Sequence, residues 1–322
     1  MNVHILSQPA KEDLAYLKTL LDENITLTTG EPLPGFGEVQ VLIAGRPSKA
    51  QLEQLGPIEI LIIPWTGIPP ETRSLLLNYP DLRIHNLHHN AGAVAELALS
   101  LLLAAAKQVI PLDQQLRKQD WRPRYDKSST VLLNGKNALI LGYGEIGRLV
   151  KKYLEALSVN VRMIKRTVES DTSNELIYSP EKLNDLLPDT NLLILAIPHT
   201  EETDQLISYK ELSLLPGNAI LVNISRGKIV DQEALYKALK NRRIFGAGLD
   251  VWYNYPKGED DRASTPPGEF PFHELDNVVM SPHRGGMVKE TETLRMAALA
   301  VLINAANRGD PVPNRVNLDL GY

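Results

Sequence analysis

Residues 138–157 read ALILGYGEIGRLVKKYLEAL, and their pattern predicts a strand, a tight turn and a helix. Apolar residues typical of a buried strand lead directly into the spacing Gly142-x-Gly144-x-x-Gly147, and an amphipathic helical pattern follows. In this context the first glycine allows a tight turn, the second lets the backbone approach a pyrophosphate, and the third lets helix and strand pack closely. The alternative is a glycine-rich turn that binds nothing. We predict a dinucleotide-binding unit whose cofactor contacts are Gly142, Tyr143, Gly144, Glu145, Ile146 and Gly147.

Further apolar runs follow this unit, separated by helical or turn sequence. They are VNVRMIK at 159–165, LLILAIP at 192–198, AILVNIS at 219–225 and GAGLDV at 246–251. Strands that alternate with helices indicate a parallel sheet with helices on its faces. Residues 104–285 are therefore expected to form a complete Rossmann dinucleotide-binding domain.

The sequence before residue 104 repeats the same alternation. Its apolar runs are VHIL at 3–6, VQVLIAG at 39–45 and IEILIIPW at 58–65. A long helix is predicted at 92–109, stopped by Pro111. We expect an α/β protein of two Rossmann-like or flavodoxin-like domains with parallel sheets, separated by a cleft and linked by long helices. Residues 1–103 and 286–322 would form the substrate domain.

Composition excludes several classes of function. The 322 residues are 43% hydrophobic and 23% charged, with a formal net charge of -5 and no basic tract, so nucleic acid is not an expected partner. The absence of cysteine excludes disulfides and thiolate metal sites, and no metal is expected. Residues 1–10 lack a signal pattern, and the longest apolar run, 97–106, is too short to span a bilayer. We expect a cytoplasmic protein with no membrane partner.

The end of the second predicted strand of the dinucleotide unit is basic. A fingerprint that binds NAD usually has an Asp or Glu there, about 20 residues after the glycines, to hold the ribose hydroxyls. This sequence has Lys165, Arg166 and Thr167 instead, two cations and a hydroxyl that suit a 2′-phosphate. We expect these residues to bind the cofactor and to favour NADP(H) over NAD(H). The alternative is a solvated strand end without a ligand.

Three further segments carry a resemblance to a known family. LVNISRGKIVDQEALYKAL spans 221–239, NVVMSPHRGG spans 277–286 and LHHNAGAVAEL spans 87–97. With the glycine turn, they make the chain resemble the D-isomer-specific 2-hydroxyacid dehydrogenase family over essentially its whole length. The resemblance implies an NAD(P)-dependent D-2-hydroxyacid dehydrogenase or 2-oxoacid reductase that forms a homodimer.

The resemblance places the chemistry on an arginine and a histidine. Arg226 matches the substrate-binding arginine, whose guanidinium can hold a carboxylate through two hydrogen bonds and polarise the adjacent carbonyl. His283 matches the acid–base histidine, and imidazole titrates in the range that proton transfer to a carbonyl oxygen needs. The alternatives are an arginine that caps a turn and a structural histidine at a strand end.

Other site residues also follow from the resemblance. Thr66, Gly67 and Asn90 are expected to bind substrate together with Arg226 and His283, although Ile68-Pro69-Pro70 replaces the family's usual continuation after Gly67. Asp250 is expected to face the nicotinamide, with a turn cap as the alternative. The full set of further cofactor contacts implied is Pro198, His199, Thr200, Thr203, Ile224, Ser225, Asp250, His283 and Gly285.

Position 255 departs from the family pattern. Most members have a glutamate there, hydrogen-bonded to the catalytic histidine, whereas this sequence has Tyr255 in DVWYNYP, residues 250–256. A phenol can orient an imidazole but supplies no charge to raise its pKa. We therefore predict that Tyr255 is a catalytic residue, in a pair with His283 that lacks the charge of the usual glutamate. Acidic residues at 259–261 either fold back towards His283 or are solvated. Formate dehydrogenases of the same superfamily resemble this segment and also have an uncharged residue at this position.

These features predict hydride transfer between NADP(H) and a small 2-oxo or 2-hydroxy acid such as glyoxylate or hydroxypyruvate. One alternative is a dehydrogenase for a small anion such as formate, favoured by the uncharged residue at 255. Another is a nucleotide-sensing binding protein of the same fold with weak turnover.

Overall fold

The structure is a computed structural model that describes residues 1–127, 129–167 and 176–320. The chain divides into two compact units, Met1–Asn90 with Met287–Tyr322, and Ala91–Gly286. The strands in the described residues are β1 Asn2–Ile5, β2 Thr26–Thr29, β3 Val41–Ile43, β4 Ile60–Ile62, β5 Arg83–His85, β6 Asn137–Leu141, β7 Asn160–Ile164, β8 Ile177–Tyr178, β9 Leu192–Leu195, β10 Ile220–Asn223, β11 Gly246–Leu249 and β12 Val278–Met280. The α-helices in the same residues are α1 Lys11–Leu20, α2 Lys49–Leu55, α3 Pro70–Leu76, α4 Ala91–Lys107, α5 Val109–Arg117, α6 Glu145–Ala156, α7 Leu183–Leu186, α8 Tyr209–Leu214, α9 Gln232–Lys240 and α10 Thr291–Arg308.

The unit that contains both chain ends is built on a parallel sheet of order β2-β1-β3-β4-β5 among the described residues. Successive side chains of a strand point to opposite faces. Val41 and Ile43 accordingly belong to a core with α1 and α10, whereas Leu42 belongs to a second core with α2 and α3. A parallel sheet covered on both faces in this strand order has the flavodoxin-like arrangement.

The other unit has a parallel sheet of order β12-β11-β10-β9-β6-β7-β8 in its described part. Counted from β6, this is the doubly wound Rossmann order with an added edge strand. The strand order reverses between β6 and β9, which are hydrogen-bonded neighbours. Ligands of such sheets bind at this reversal, beyond the carboxyl ends of the strands. The turn at 142–147 follows β6 and therefore lies at the expected binding position.

The long helix predicted at 92–109 is two helices in the structure. Helix α4 ends at Lys107, Gln108 has a left-handed φ of 51°, and α5 then begins at Val109. The prediction that Pro111 stops a helix is wrong. Pro111 occupies the first turn of α5, where its missing N–H has no intrahelical partner to lose.

The division between the units lies at Asn90–Ala91, whereas the sequence pattern predicts it at 103–104. The difference is helix α4, which packs in the second unit. Its Ala95, Ala98 and Leu102 share a core with β6, β9 and β10. A Cβ built on Gly248 of β11 would lie 2.7 Å from the Leu101 Cβ. These contacts make α4 part of the second unit's sheet packing.

The structure also bears on membrane insertion. Among the described residues, no single helix has both the length and the apolar character needed to cross a bilayer. Helices α4 and α5 satisfy that test of length and composition only as a pair, and the pair is bent by 63°.

Candidate active site

The glycine turn after β6 has two different kinds of glycine. Gly142 has a φ of +114°, and a Cβ there would lie 2.3 Å from the Ala196 carbonyl oxygen. A Cβ on Gly147 would lie 2.3 Å from the Gly142 carbonyl oxygen. Both positions therefore require glycine for the fold itself.

Gly144 has no such internal reason to be glycine. Its φ of −78° and ψ of −172° suit any residue. In the described part of the chain, no residue other than its chain neighbours has an atom within 4 Å of the place its Cβ would occupy. The open space lies at the N-terminus of α6, where free backbone N–H groups favour an anion. The turn thus fits a dinucleotide pyrophosphate, which would need the space that a side chain at 144 would fill.

The basic segment after β7 lies beside the glycine turn, because β6 and β7 are paired neighbours. Lys165 Nζ lies 5.7 Å from the ring centroid of Tyr143, and the Arg148 guanidinium lies 5.6 Å from it. Arg166 forms an ion pair with Glu202, at 3.1 Å. Thr167 is exposed. The structure therefore gathers cations at the predicted ribose end of the turn.

The loop after β9 is held by its own hydrogen bonds. Thr203 Oγ1 donates to the Pro198 carbonyl oxygen at 2.8 Å and accepts from the Thr200 N–H at 2.8 Å. His199 Nε2 is paired with the Asp204 carboxylate at 2.6 Å. Pro198 and His199 are exposed. The side chain of Thr203 thus shapes the loop, which leaves the exposed Pro198–His199 edge as its ligand-facing candidate.

Arg226 follows β10 in a turn that an asparagine fixes. Asn223 Oδ1 accepts from the Ser225 N–H at 3.0 Å, and Asn223 Nδ2 donates to the Arg226 carbonyl oxygen at 2.9 Å. Ser225 Oγ is buried and donates to the Leu195 carbonyl oxygen of β9, and Ile224 is buried in the core. The turn therefore directs Ile224 and Ser225 into the protein and leaves Arg226 exposed.

Asp250, which the resemblance implies as a cofactor contact, is hydrogen-bonded inside the protein. It is only 2% exposed, and its carboxylate accepts hydrogen bonds from Ser281 Oγ, from the Arg284 N–H at 2.8 Å and from the Gly285 N–H at 2.9 Å. These donors already engage both carboxylate oxygens. The alternative reading of a turn cap describes this geometry: Asp250 holds the turn that carries His283.

His283 is the central residue of that turn. It has a left-handed φ of 57°, a conformation that costs a non-glycine residue about 1–3 kcal/mol and persists only where neighbours impose it. The hydrogen bonds that Asp250 accepts from residues on both sides of His283 supply that constraint. The imidazole keeps access to solvent, as a proton-transfer group must.

Charged neighbours act on His283 in opposite directions. Partial desolvation by surrounding protein atoms lowers the pKa of His283, the Arg226 guanidinium lowers it further, and the Asp250 carboxylate raises it; the net change is downward. The Arg226 guanidinium also lowers the pKa of Tyr255, against the larger increase caused by burial. Arg226, Tyr255 and His283 are therefore brought together within the unit Ala91–Gly286.

Tyr255 lies against the catalytic candidate as a neutral group. Its ring centroid is 5.5 Å from that of His283, and its hydroxyl oxygen accepts a hydrogen bond from the Trp252 N–H at 3.1 Å. Burial is the main cause that raises the pKa of Tyr255, so the phenol keeps its proton at neutral pH. Tyr255 packs near the imidazole without adding charge.

The acidic insertion does not supply that charge either. Glu259 is paired with Arg262 at 2.9 Å, and residues 259–261 are exposed. The carboxylate that acts on the pKa of His283 is Asp250. Of the two readings of the insertion, the structure agrees with solvation.

The predicted substrate residues of the other unit also meet. Thr66 Oγ1 lies 3.1 Å from Asn90 Oδ1 and donates to the Leu87 carbonyl oxygen at 3.0 Å. Asn86 Nδ2 donates to the Thr66 carbonyl oxygen at 2.6 Å. Gly67 follows at the carboxyl end of β4. These bonds join the segments after β4 and β5 into one polar edge.

Three residues in this region were absent from the sequence predictions. Asn223 could have been found, because an asparagine in a turn often accepts a hydrogen bond from the backbone N–H two residues later, as in an Asx-turn. Ser281 and Glu202 have no local signal, because each acts on a residue that is distant in the chain, Asp250 and Arg166 respectively.

Comparison with known proteins assigns the family. Residues 99–285, more than half of the chain, match the family model described as D-isomer specific 2-hydroxyacid dehydrogenase, NAD binding domain. The chain belongs to the D-isomer specific 2-hydroxyacid dehydrogenase family. It is 34% identical over 239 residues to a glyoxylate reductase of Pyrococcus horikoshii, which covers 71% of this chain and 67% of that protein.

Solved structures share the fold over the whole chain. A D-isomer specific 2-hydroxyacid dehydrogenase of Xanthobacter autotrophicus Py2, in complex with NADPH and MES, has a TM-score of 0.81 at 20% identity and covers 100% of this chain and 99% of its own. An NADPH-dependent glyoxylate/hydroxypyruvate reductase of Sinorhizobium meliloti has a TM-score of 0.73 at 21% identity, with 98% of both chains covered. The predicted α/β fold and family are confirmed. The chain is a hydride-transfer oxidoreductase that uses a nicotinamide dinucleotide.

Proposed function

We propose that this enzyme reduces a small 2-oxo acid such as glyoxylate or hydroxypyruvate, with NADP(H) preferred over NAD(H). The observation that carries the proposal is the grouping of an exposed arginine, Arg226, with a solvent-accessible histidine, His283, on a turn locked by the buried Asp250. The glyoxylate reductase relatives support the substrate class.

Each member of the group has a step to perform. Arg226 binds the carboxylate of the substrate and polarises its carbonyl, because a guanidinium offers parallel donors to both oxygens. His283 in its protonated form gives its proton to the carbonyl oxygen as that oxygen gains charge. The reduced nicotinamide supplies the hydride when the cofactor is bound. Asp250 keeps His283 in place, and Thr66, Gly67 and Asn90 stay predicted substrate contacts.

The cofactor preference rests on charge. Lys165 and Arg166 follow β7 where NAD-binding relatives of this fold place an acid. A 2′-phosphate carries a larger negative charge than the ribose hydroxyls, so it gains more from two cations. Two of the structural neighbours contain NADPH, which is consistent with this preference.

A second candidate function, oxidation of a small anion such as formate, is favoured by one observation. Tyr255 leaves an uncharged residue beside His283, and formate oxidation needs no group to protonate a carbonyl oxygen. A panel of glyoxylate, hydroxypyruvate, pyruvate and formate, each assayed with both cofactors, separates the candidates. We expect the highest kcat/KM for glyoxylate or hydroxypyruvate with NADPH. Turnover of formate alone would contradict the proposal, and tight NADPH binding without turnover would indicate a nucleotide sensor.

We further propose that the enzyme is a homodimer formed through the unit Ala91–Gly286. Helix α5 and the following segment expose apolar side chains that a monomer in water does not favour. A cavity of about 360 Å³ lies between α5 and edge strand β12. The exposed apolar residues are Val109, Ile110, Leu112, Leu116, Trp121, Tyr125 and Leu132.

A cytoplasmic location stays a prediction.

A further inference from the structure

An ion pair joins two loops on either side of the glycine turn. Arg166 lies just after β7, Glu202 lies in the loop after β9, and Arg166 Nη2 is 3.1 Å from Glu202 Oε1. In the sheet, β6 lies between β9 and β7. The two side chains thus reach across two inter-strand spacings, roughly 10 Å, at the carboxyl end of the strand that leads into Gly142.

The loop that presents Glu202 is braced. Thr203 Oγ1 bonds the backbone at Pro198 and Thr200, and His199 is paired with Asp204. Glu202 is therefore held on the cofactor side of the sheet by neighbours in its own loop. Both partners remain accessible, with side-chain exposures of 40% for Arg166 and 67% for Glu202.

An exposed ion pair of this kind is readily exchanged. Exposed pairs contribute little net free energy, because water solvates each partner nearly as well. A phosphate offers Arg166 a larger negative charge and more acceptor oxygens than a carboxylate does. We therefore expect a 2′-phosphate brought near Arg166 to displace the carboxylate of Glu202 from the ion pair.

Glu202 also supplies the chemistry that position 166 lacks. NAD-binding members of this fold hold the ribose hydroxyls with a carboxylate at the end of the second strand, here occupied by Arg166. The partner of Arg166 is itself a carboxylate from the neighbouring loop. One ion pair therefore contains both kinds of recognition, a guanidinium for a phosphate and a carboxylate for a diol.

We propose that Glu202 is a specificity-determining residue of the cofactor site. It neutralises Arg166 and accepts from the ribose hydroxyls when NAD(H) is bound, and it is displaced from Arg166 by the 2′-phosphate when NADP(H) is bound. This inference rests on the proposed cofactor site. Its consequence is that the enzyme binds both dinucleotides, and that Glu202 narrows the difference between them.

The test is to measure dissociation constants of NADPH and NADH by calorimetry for the wild type and for Glu202→Gln. The amide keeps the size of the side chain and removes the charge that competes for Arg166. We expect NADPH to bind about threefold or more tightly and NADH to bind more weakly, an effect of the size that exposed ion pairs allow. Added salt at 1 M should shrink the NADPH gain, because it screens exposed charges.

Glu201→Gln is the matched control. Glu201 is exposed in the same loop and has no ion pair in the described part of the chain, so it reports the loss of one negative charge without the contact to Arg166. In an Arg166→Gln background, Glu202→Gln should no longer favour NADPH more than Glu201→Gln does. The proposal is overturned if Glu202→Gln in the wild-type background changes the NADPH to NADH ratio no more than Glu201→Gln.

The same data keep the two proposals apart. A wild type that binds NADH more tightly than NADPH contradicts the proposed cofactor preference, whereas the role of Glu202 is decided by the change between wild type and variant. A wild type that binds neither dinucleotide overturns both.

Discussion

The turn that carries His283 is held by the buried carboxylate of Asp250. Asp250 is buried and bonds the backbone at Arg284 and Gly285 and the hydroxyl of Ser281. Its charge also raises the pKa of His283 against the lowering by desolvation and Arg226. Asp250 is thus a positioning residue that provides part of the negative charge expected from a glutamate at 255.

Replacing Tyr255 with Glu tests the effect of that missing glutamate. A reductase needs His283 protonated, so its kcat/KM falls as pH rises through the pKa of His283, which is lowered in this enzyme. A carboxylate at 255 would stabilise the imidazolium and raise that pKa. We expect the falling limb of glyoxylate reduction to move to higher pH in Tyr255→Glu, with Tyr255→Phe as the uncharged control. An unmoved limb in the pH–rate profile would exclude a role for residue 255 in the titration of His283.

Asp250→Asn tests the positioning role. The amide keeps one acceptor oxygen but places an NH₂ where an oxygen now receives a backbone N–H, and it removes the charge. We expect kcat to fall on the order of 10²-fold because His283 is displaced, and the pH limb to move lower because a group that raises the pKa of His283 is lost. Ser281→Ala, which removes one bond and no charge, should reduce kcat without moving the limb. Wild-type kcat in Asp250→Asn would contradict the positioning role.

At the scale of elements, the strand–turn–helix unit at 137–156 was predictable because each of its requirements is local. The apolar strand, the glycine spacing and the helix lie in one continuous stretch. The junction of α4 and α5 was not predictable, because Pro111 alone is compatible with the end of one helix or the first turn of the next. The left-handed backbone of Gln108 separates the two helices and places Pro111 in the first turn of the second. Neither the residue type of Gln108 nor the residues beside it in the sequence specify that conformation.

Gly144 in the glycine turn is a position where a substitution should change cofactor binding but not stability. A methyl at Gly144 meets open space in the protein, whereas a bound pyrophosphate would lie close to it. We expect Gly144→Ala to weaken NADPH binding about tenfold or more, an energy of about 1.4 kcal/mol or more, while the free energy of unfolding changes by about 1 kcal/mol or less. Gly217→Ala, also in open space, is the control and should leave binding unchanged. Equal NADPH affinity in Gly144→Ala and wild type would place the pyrophosphate elsewhere.

At the scale of the whole molecule, the two parallel sheets followed from the alternation of apolar runs and helical patterns in the sequence. The pairing of Thr66 with Asn90 did not follow from that alternation: the family resemblance named both residues as substrate contacts, and the structure places their side-chain oxygens 3.1 Å apart. The hydrogen-bond partners of Asp250 and the pairing of Arg166 with Glu202 could not be predicted, because both depend on which distant loops emerge side by side from the sheet.

The proposed dimer is tested by the mass of the enzyme in solution. A dimer has twice the chain mass of 35.8 kDa. Leu116→Asp places a charge on the exposed apolar face of α5, and burying that charge in an interface would be costly. We expect light scattering to give a dimer for the wild type and for the control Leu294→Asp on α10, and a monomer for Leu116→Asp. A monomeric wild type would end the proposal.

We expect Arg226 and His283 together to reduce a 2-oxo acid, and glyoxylate reduction with NADPH by Arg226→Gln measures the part of Arg226. Lys228→Gln, which removes an exposed cation two residues away, is the matched control. The loss of charge-assisted donors to the substrate should lower kcat/KM about 10²–10³-fold in Arg226→Gln and leave Lys228→Gln near the wild type. Wild-type kcat/KM for glyoxylate in Arg226→Gln would show that Arg226 does not bind the substrate carboxylate.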